Sequence, residues 1–181
     1  GGLMTDLIRV DAHAHLYRTA EEGYAEKTGY EVWEYGEQAD IHQTECVGTV
    51  DELLLQMQSA GVNKAIIVNL FSAVVSRKVA VGALPEGLTE YEKEKRTADI
   101  DAWVRSEIIS FNKWNCDLSQ QHPELVAFVA ADVNALPGSL CAEHITDMVE
   151  NHVAAGVKLH GAYQDFDMSD ERLWPTYRVC D

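Results

Sequence analysis

Strand-like and helix-like stretches alternate along this chain, and their order constrains the fold more than any other feature of the sequence. Apolar runs typical of buried strands begin at about Ile8, Ala65, Leu125 and Val157, and stretches with helical spacing separate them. The predicted order is strand, helix, strand, helix, strand, helix, strand, followed by the start of another helix over 170–181. Since this order is typical of parallel sheets with right-handed crossovers, we predict an α/β fold.

The first predicted helix is marked by its ends as well as by its apolar face. Thr49 followed by Glu52 has the spacing of a capping box, in which each side chain bonds to the backbone of the other residue. Gly61 is suited to the left-handed position just after the last turn, so we expect the helix to end there.

The other predicted helices carry apolar residues at helical spacing over 100–118 and 140–153, and we expect the second of these to be closed by Gly156. The aromatic residues of the stretch 100–118 are interpreted as core residues.

Two stretches, 17–46 and 72–97, show no clear period and are expected to be irregular. A long connection such as 17–46 is typical of a lid or binding loop, and a variable surface excursion is the alternative.

Polar residues collect where the predicted strands end. They are, in chain order, His13, His15, Asn69, Asp132, Asn134, Lys158 and His160. Because the carboxyl ends of parallel strands meet at the same edge of a sheet, we expect these side chains to share one crevice. This layout is typical of an active site in either a (β/α) barrel or an open α/β sheet.

The pair His13 and His15 is the strongest sign of chemistry in the sequence. Residues two apart in a strand point to the same side, and here the opposite side is an unbroken apolar face of alternate residues: Ile8, Val10, Ala12, Ala14 and Leu16. Two imidazoles so placed can bind one ion, and imidazole suits zinc, iron, cobalt or nickel. We predict His13 and His15 as metal ligands, with Asp11 orienting a neighbour rather than ligating. The alternative is a pair of histidines that holds no metal.

Lys158 and His160 repeat this geometry on the fourth predicted strand, and we predict both as substrate-binding residues. The alternatives are a lysine that extends along a polar interior, a hydrogen-bonded core histidine, or a carbamate on Lys158 that bridges two metal ions. The remaining histidines are interpreted as structural; they are His42, His122, His144 and His152.

Charge and hydropathy exclude several classes of partner. The 181 residues include 30 acidic and 14 basic side chains, for a net charge of −16, which disfavours binding to nucleic acid or to an anionic membrane. No apolar run approaches the length of a membrane span, and the amino terminus lacks the layout of a signal peptide. We therefore expect a cytoplasmic protein.

Cysteine spacing and the first residues add two further predictions. Cys46, Cys116, Cys141 and Cys180 include no C-x-x-C pair, so neither a disulfide framework nor a thiolate zinc site is predicted. Residues 1–3, which precede Met4, are interpreted as a cloning remnant, and 4–181 as part of a single domain.

The motif Asp11-Ala12-His13-Ala14-His15, the segment Gly156-Val157-Lys158-Leu159-His160-Gly161 and the run 170–177 (DERLWPTY) together resemble the metal-dependent amidohydrolase superfamily. The resemblance is nearest to its branch of TIM-barrel hydrolases and decarboxylases related to aminocarboxymuconate semialdehyde decarboxylase. Gly161 departs from the proline that is frequent in the family at this point.

The resemblance implies a (β/α)8 TIM barrel of which this chain holds about the first four β/α units, since such a barrel needs roughly 250 residues. It implies a divalent metal, most often zinc, held by His13 and His15, with His160 near the site. Further ligands and a general-base aspartate are expected on strands beyond Asp181.

The implied function is hydrolysis of amide, lactone or ester bonds of a small molecule by a metal-activated water. The alternatives are a metal-dependent non-oxidative decarboxylase of the same family, a phosphoesterase of the TatD or PHP kind, and a binding protein without catalysis. Because four strands leave two exposed edges, we also expect a homo-oligomer if no further strands follow.

Overall fold

The structure is a computed structural model that describes residues 7–37 and 44–181. Within these ranges the strands are β1 (Val10–Ala14), β2 (Lys64–Val68), β3 (Leu125–Ala130) and β4 (Gly156–Lys158). The helices are α1 (Ala20–Tyr35), α2 (Val50–Ala60), α3 (Ala73–Gly82), α4 (Glu90–Gln121), α5 (Leu140–His152), α6 (Gly161–Gln164) and α7 (Trp174–Cys180), with a 3-10 turn at Glu171–Leu173.

The four strands form one sheet in the order β1-β2-β3-β4. β1 pairs with β2, and β3 pairs with β4, both in parallel. This confirms the predicted α/β class with a parallel sheet. In this order β1 and β4 lie at the two edges, and the predicted barrel is not confirmed.

A β-bulge in β1 corrects the prediction of one unbroken apolar face. Asp11 pairs with Ala65 but Ala14 pairs with Ile67, so β1 uses one residue more than β2 over this interval. An extra residue turns the side chains that precede it to the opposite face of the sheet. Residues 10–13 are all exposed and Ala14 alone is buried in this strand; Val10 is 52% exposed and Ile8, which precedes the strand, is 74% exposed.

The chain divides into two compact units, which are described separately. The first extends to Ile67 and contains β1, α1 and α2. α2 begins at the predicted capping box and ends at Gly61 in the left-handed conformation, as expected. Leu16 and Met57 are buried within this unit, and Tyr17 N–H donates to the carbonyl of Gly48 at 2.9 Å.

The second unit, Val68–Asp181, holds the largest cluster of buried apolar residues in the described chain. β3, α4 and α5 supply most of it, including Val104, Ile108, Val129, Ile145 and Met148. β3 alternates buried and half-buried residues over 125–129 and ends on the fully buried Ala130, so that neither face is exposed, which is typical of a strand covered on both faces.

Two stretches expected to be irregular contain helices. α1 lies in 17–46, where most of its residues are exposed and no apolar period marks it; its start is fixed by Thr19 Oγ1, which accepts from Glu22 N–H at 3.1 Å. α3 and the start of α4 lie in 72–97. The overlooked signal for α4 is a second capping box, at Thr89 and Glu92.

The end of α5 also differs from its prediction. Val153, not a glycine, takes the left-handed conformation there, with φ 59°. Gly156 is instead the first residue of β4, paired with Phe128, and a Cβ at this position would lie 2.6 Å from the Phe128 ring. The aromatic residues of α4 are only partly in the core, because Trp103 is 46% exposed.

Candidate functional site

The imidazole rings of the two histidines of the H-x-H motif are in contact at the carboxyl end of β1. The Nε2 atoms of His13 and His15 are 3.0 Å apart, and the rings are in an edge-to-face arrangement with centroids 4.9 Å apart. His13 is exposed and His15 is half-buried. The sequence therefore predicted correctly that these two side chains lie together.

The separation of the two nitrogens fits a shared ion. Two nitrogens each about 2.1 Å from one ion lie about 3.0 Å apart at a right angle and about 3.4 Å apart at a tetrahedral angle. Without an ion, a hydrogen bond at this distance requires that one Nε2 carry a hydrogen and donate it to the unprotonated Nε2 of the other ring. His13 and His15 can thus supply two of the ligands that a catalytic metal requires.

Asp11 supports this pair through the backbone. Its carboxylate Oδ1 accepts a hydrogen bond from His13 N–H at 2.9 Å, which closes a local turn at the bulge. Bulges next to functional sites commonly re-aim a side chain. Asp11 fixes the backbone from which the His13 ring projects.

A complete metal centre is not assembled within 7–37 and 44–181. Among these residues there is no group of three or more histidine, cysteine, aspartate or glutamate side chains placed to hold an ion. His13 and His15 therefore remain a pair, and their role as metal ligands remains a prediction.

Asp132 is a buried carboxylate of the second unit that binds backbone N–H groups. It is fully buried, and its carboxylate accepts from Ala73 N–H at 2.8 Å and from the backbone N–H groups of Asn134 and Ala135 at 2.8 and 3.2 Å. Burial raises the pKa of Asp132, and the three N–H donors oppose that rise. The carboxylate ties the end of β3 to the first turn of α3.

Gln164 is a site residue that no pattern in the sequence predicts. It is fully buried, and its amide nitrogen donates to the carbonyls of Phe71 and Ala131 at 2.9 and 2.8 Å. Its amide oxygen accepts from His160 N–H at 2.8 Å. One side chain thus joins the segments that follow β2, β3 and β4, and nothing in a lone glutamine after a strand signals this.

His160 lies beyond the end of β4 rather than within it, as the N-cap of α6. Its ring Nδ1 accepts from Tyr163 N–H at 3.2 Å, so in the neutral ring the proton is on Nε2. Lys158 is the last residue of β4 and is half-buried. No described contact tests their predicted roles in substrate binding, which remain predictions.

Arg172, from the DERLWPTY run, connects two loops of the same unit. It pairs with Asp170, with Nη2 and Oδ2 2.6 Å apart, and its Nη1 donates to Asn134 Oδ1 at 2.9 Å. Asn134 Nδ2 in turn donates to the carbonyl of Gln164 at 2.7 Å. The ion pair lowers the pKa of Asp170.

The other histidines take no part in these clusters within the described chain. His144 is buried on α5 and bonds to Asn112, His152 lies 3.6 Å from Asp147, and His122 caps the end of α4. His42 lies outside the described residues.

The four cysteines are free thiols in the structure. Burial raises the pKa of Cys116 to about 11.

No helix in the described chain is long and apolar enough to cross a membrane.

No family model and no curated protein sequence matches this chain. The fold does match solved structures. Two are crystal structures of 5-carboxyvanillate decarboxylase from Novosphingobium aromaticivorans, one of them a mutant, both with bound manganese and 4-hydroxy-3-methoxy-5-nitrobenzoic acid. Each is 14% identical to this chain, with a TM-score of 0.57.

The matches cover 98% of this chain and 49% and 48% of the decarboxylase chains, so this chain spans about half the length of those structures. At this identity the likeness extends to the fold.

Proposed function

We propose that this chain belongs to a metal-dependent decarboxylase that removes CO2 from a small aromatic carboxylic acid without oxidation. The observation that carries the proposal is the imidazole pair of His13 and His15, with Nε2 atoms 3.0 Å apart, in a fold shared with manganese-bound decarboxylases. The same comparison favours decarboxylation over the hydrolysis that the sequence first suggested.

In this proposal His13 and His15 hold one divalent ion through their Nε2 atoms, and Asp11 keeps the His13 backbone in place. When bound, the ion supplies positive charge that attracts the substrate oxygens and stabilises negative charge that develops on the substrate. Zinc was expected from the resemblance, and the fold neighbours hold manganese, so the proposal commits to a divalent ion and not to one element.

The reaction breaks the bond between a ring carbon and the carboxyl carbon, releases CO2 and places a proton on the ring carbon. His160 and Lys158 are proposed to bind the substrate. The Nε2–H of His160 is left to donate because Nδ1 is occupied by Tyr163 N–H. The ammonium of Lys158 is suited to a carboxylate or phenolate oxygen.

The metal site is tested with the double variant His13→Ala, His15→Ala in the protein at its natural length. The parent protein should retain about one manganese or zinc ion per chain after dialysis, measured by mass spectrometry, and the variant should retain none. The matched control is His122→Ala, His152→Ala, which also removes two histidines and should keep the ion. Stoichiometric metal in the His13, His15 variant would overturn the proposal.

The reaction class is tested by assaying the metal-loaded protein against matched substrates. We expect CO2 release from a carboxylated hydroxybenzoate such as 5-carboxyvanillate, and no turnover of aryl amides, lactones or phosphodiesters. Turnover of amides or lactones alone would overturn the proposed decarboxylation and indicate a hydrolase. Turnover of phosphodiesters alone would indicate a phosphoesterase.

A further inference from the structure

A second concave site lies in the Val68–Asp181 unit and has no role in the proposed decarboxylation. It is a cavity of about 240 Å³ between α3, α4 and the loop after β3. Its charged lining consists of Arg77, Asp101 and Arg105, and its apolar lining includes Val104, Ala135 and Pro137.

The charges of this cavity favour an anion. Arg77 Nε donates to Asp101 Oδ1 at 2.6 Å, which fixes the Arg77 guanidinium while its Nη groups stay available. In the described chain Arg105 forms no ion pair or side-chain hydrogen bond, although it lines the same cavity. The lining therefore has one unbalanced positive charge, in a protein whose net charge is −16.

The first turn of α3 also borders the cavity, and two of its backbone donors are already used. The N–H groups of Ala73 and Val75 donate to Asp132 and to Ser72 Oγ. The anion would therefore be bound by the two guanidinium groups.

The size and the apolar walls restrict the ligand further. Pockets for drug-sized ligands measure about 300–1,000 Å³, so this cavity suits a molecule of about ten non-hydrogen atoms. Val104, Ala135 and Pro137 offer apolar contact that an inorganic ion cannot use. A guanidinium pairs with a carboxylate through two parallel hydrogen bonds.

We propose that this cavity binds a small organic carboxylate with an apolar body, of about the size of benzoate, whose carboxylate lies between Arg77 and Arg105. The apolar body of the ligand packs on Val104 and Ala135. The site is independent of the imidazole pair on β1.

The test is a titration of the protein at its natural length with sodium benzoate at constant ionic strength, followed through backbone amide signals by NMR. Signals from 73–77, 101–105 and 134–137 should shift saturably, with a Kd on the order of 1 mM. Arg105→Gln should weaken binding about tenfold or more. Arg105→Lys, which keeps the charge but loses the planar fork, should weaken it about threefold.

Three controls distinguish benzoate binding in this cavity from benzoate binding elsewhere on the protein. Arg178→Gln, which removes an exposed arginine of α7, should leave the Kd unchanged. The His13→Ala, His15→Ala variant should also bind benzoate at these amides, because the site does not depend on the proposed metal. Sodium phosphate should produce no saturable shift there.

Unchanged benzoate affinity in Arg105→Gln, or benzoate shifts confined to other amides, would overturn the site. Phosphate binding as tight as benzoate binding would overturn the ligand class.

Discussion

At the scale of single residues, the hydrogen bonds of Asn112 determine the protonation state of His144. The Asn112 amide donates to the carbonyl of Ala130 and accepts from Ala130 N–H, both at 2.8 Å, which fixes which end carries the NH2 group. That NH2 lies 2.9 Å from His144 Nε2, so Nε2 must accept and the folded ring is neutral.

This arrangement predicts a loss of stability in mild acid. Burial lowers the pKa of His144, opposed by Asp147 and assisted by His152, so the unfolded chain takes up the proton first. The free energy of unfolding should therefore fall as pH drops below about 6.5, the ordinary histidine value, until the folded ring also becomes protonated. Urea unfolding at pH 7.5 and 6.0 measures the difference.

His144→Gln keeps an acceptor for Asn112 but does not titrate, so it should reduce the difference between the two pH values. His122→Gln serves as the control and should keep the difference of the parent. If His144→Gln shows the same pH dependence as the parent, the pKa of His144 is not lowered in the folded state.

At the scale of elements, the residue that ends α5 adopts a backbone conformation that is unfavourable for its side chain. Val153 is β-branched and 53% exposed, yet it takes the left-handed conformation with φ 59°. For residues other than glycine this conformation costs about 1–2 kcal/mol. Val153→Gly should therefore stabilise the protein by about 0.5–1 kcal/mol, since glycine loses part of the gain to unfolded-state entropy. Thermal or urea unfolding measures the change.

Val149→Gly is the matched control, because Val149 is an exposed valine within the same helix. That change should destabilise by about 0.5–1 kcal/mol, the cost of glycine in a helix interior. Destabilisation by Val153→Gly of the same size would show that the left-handed conformation carries no strain.

Elements were predictable from sequence where local signals agree with packing. The capping box at Thr49 and Glu52 and the glycine at 61 bound α2 correctly, because both signals act within one turn. α1 was not predictable from periodicity, since its residues are mostly exposed and no buried face imposes a period.

The end of α5 was placed too late because Gly156 is needed for a different reason, the contact with Phe128. The candidate site likewise contains residues that a local pattern predicts and a residue that it does not. Alternation along one strand predicted His13 and His15 together, whereas Gln164 depends on contacts with segments as far away in sequence as Phe71.

At the scale of the whole molecule, the buried core is unevenly distributed. The main apolar cluster lies within 73–173, and β3 is nearly covered by it, whereas Val10 and its neighbours in β1 are exposed. Local opening costs more free energy where more apolar surface is buried. Hydrogen exchange followed by mass spectrometry should therefore show amides of 125–130 exchanging at least about tenfold more slowly than those of 10–14, after correction for intrinsic rates.

Equal protection of the two strands would contradict this expectation and would indicate that β1 is covered in solution. A second copy of the chain is the occupant that the sequence led us to expect, and sedimentation of the same sample would reveal it. If no second copy covers β1, this edge strand should be the first strand of the sheet to open.

The extra residue in β1 also matters for protein design. In a regular strand the two positions of an H-x-H motif lie about 6.7 Å apart along the backbone, and their rings must lean together to share an ion. Here one histidine projects from the bulge itself, with Asp11 bonded to its N–H. A graft of this pair onto another scaffold should therefore carry residues 11–15 and the partner strand that tolerates the bulge. The three letters H-x-H alone would transfer the side chains without the backbone path that brings their nitrogens together.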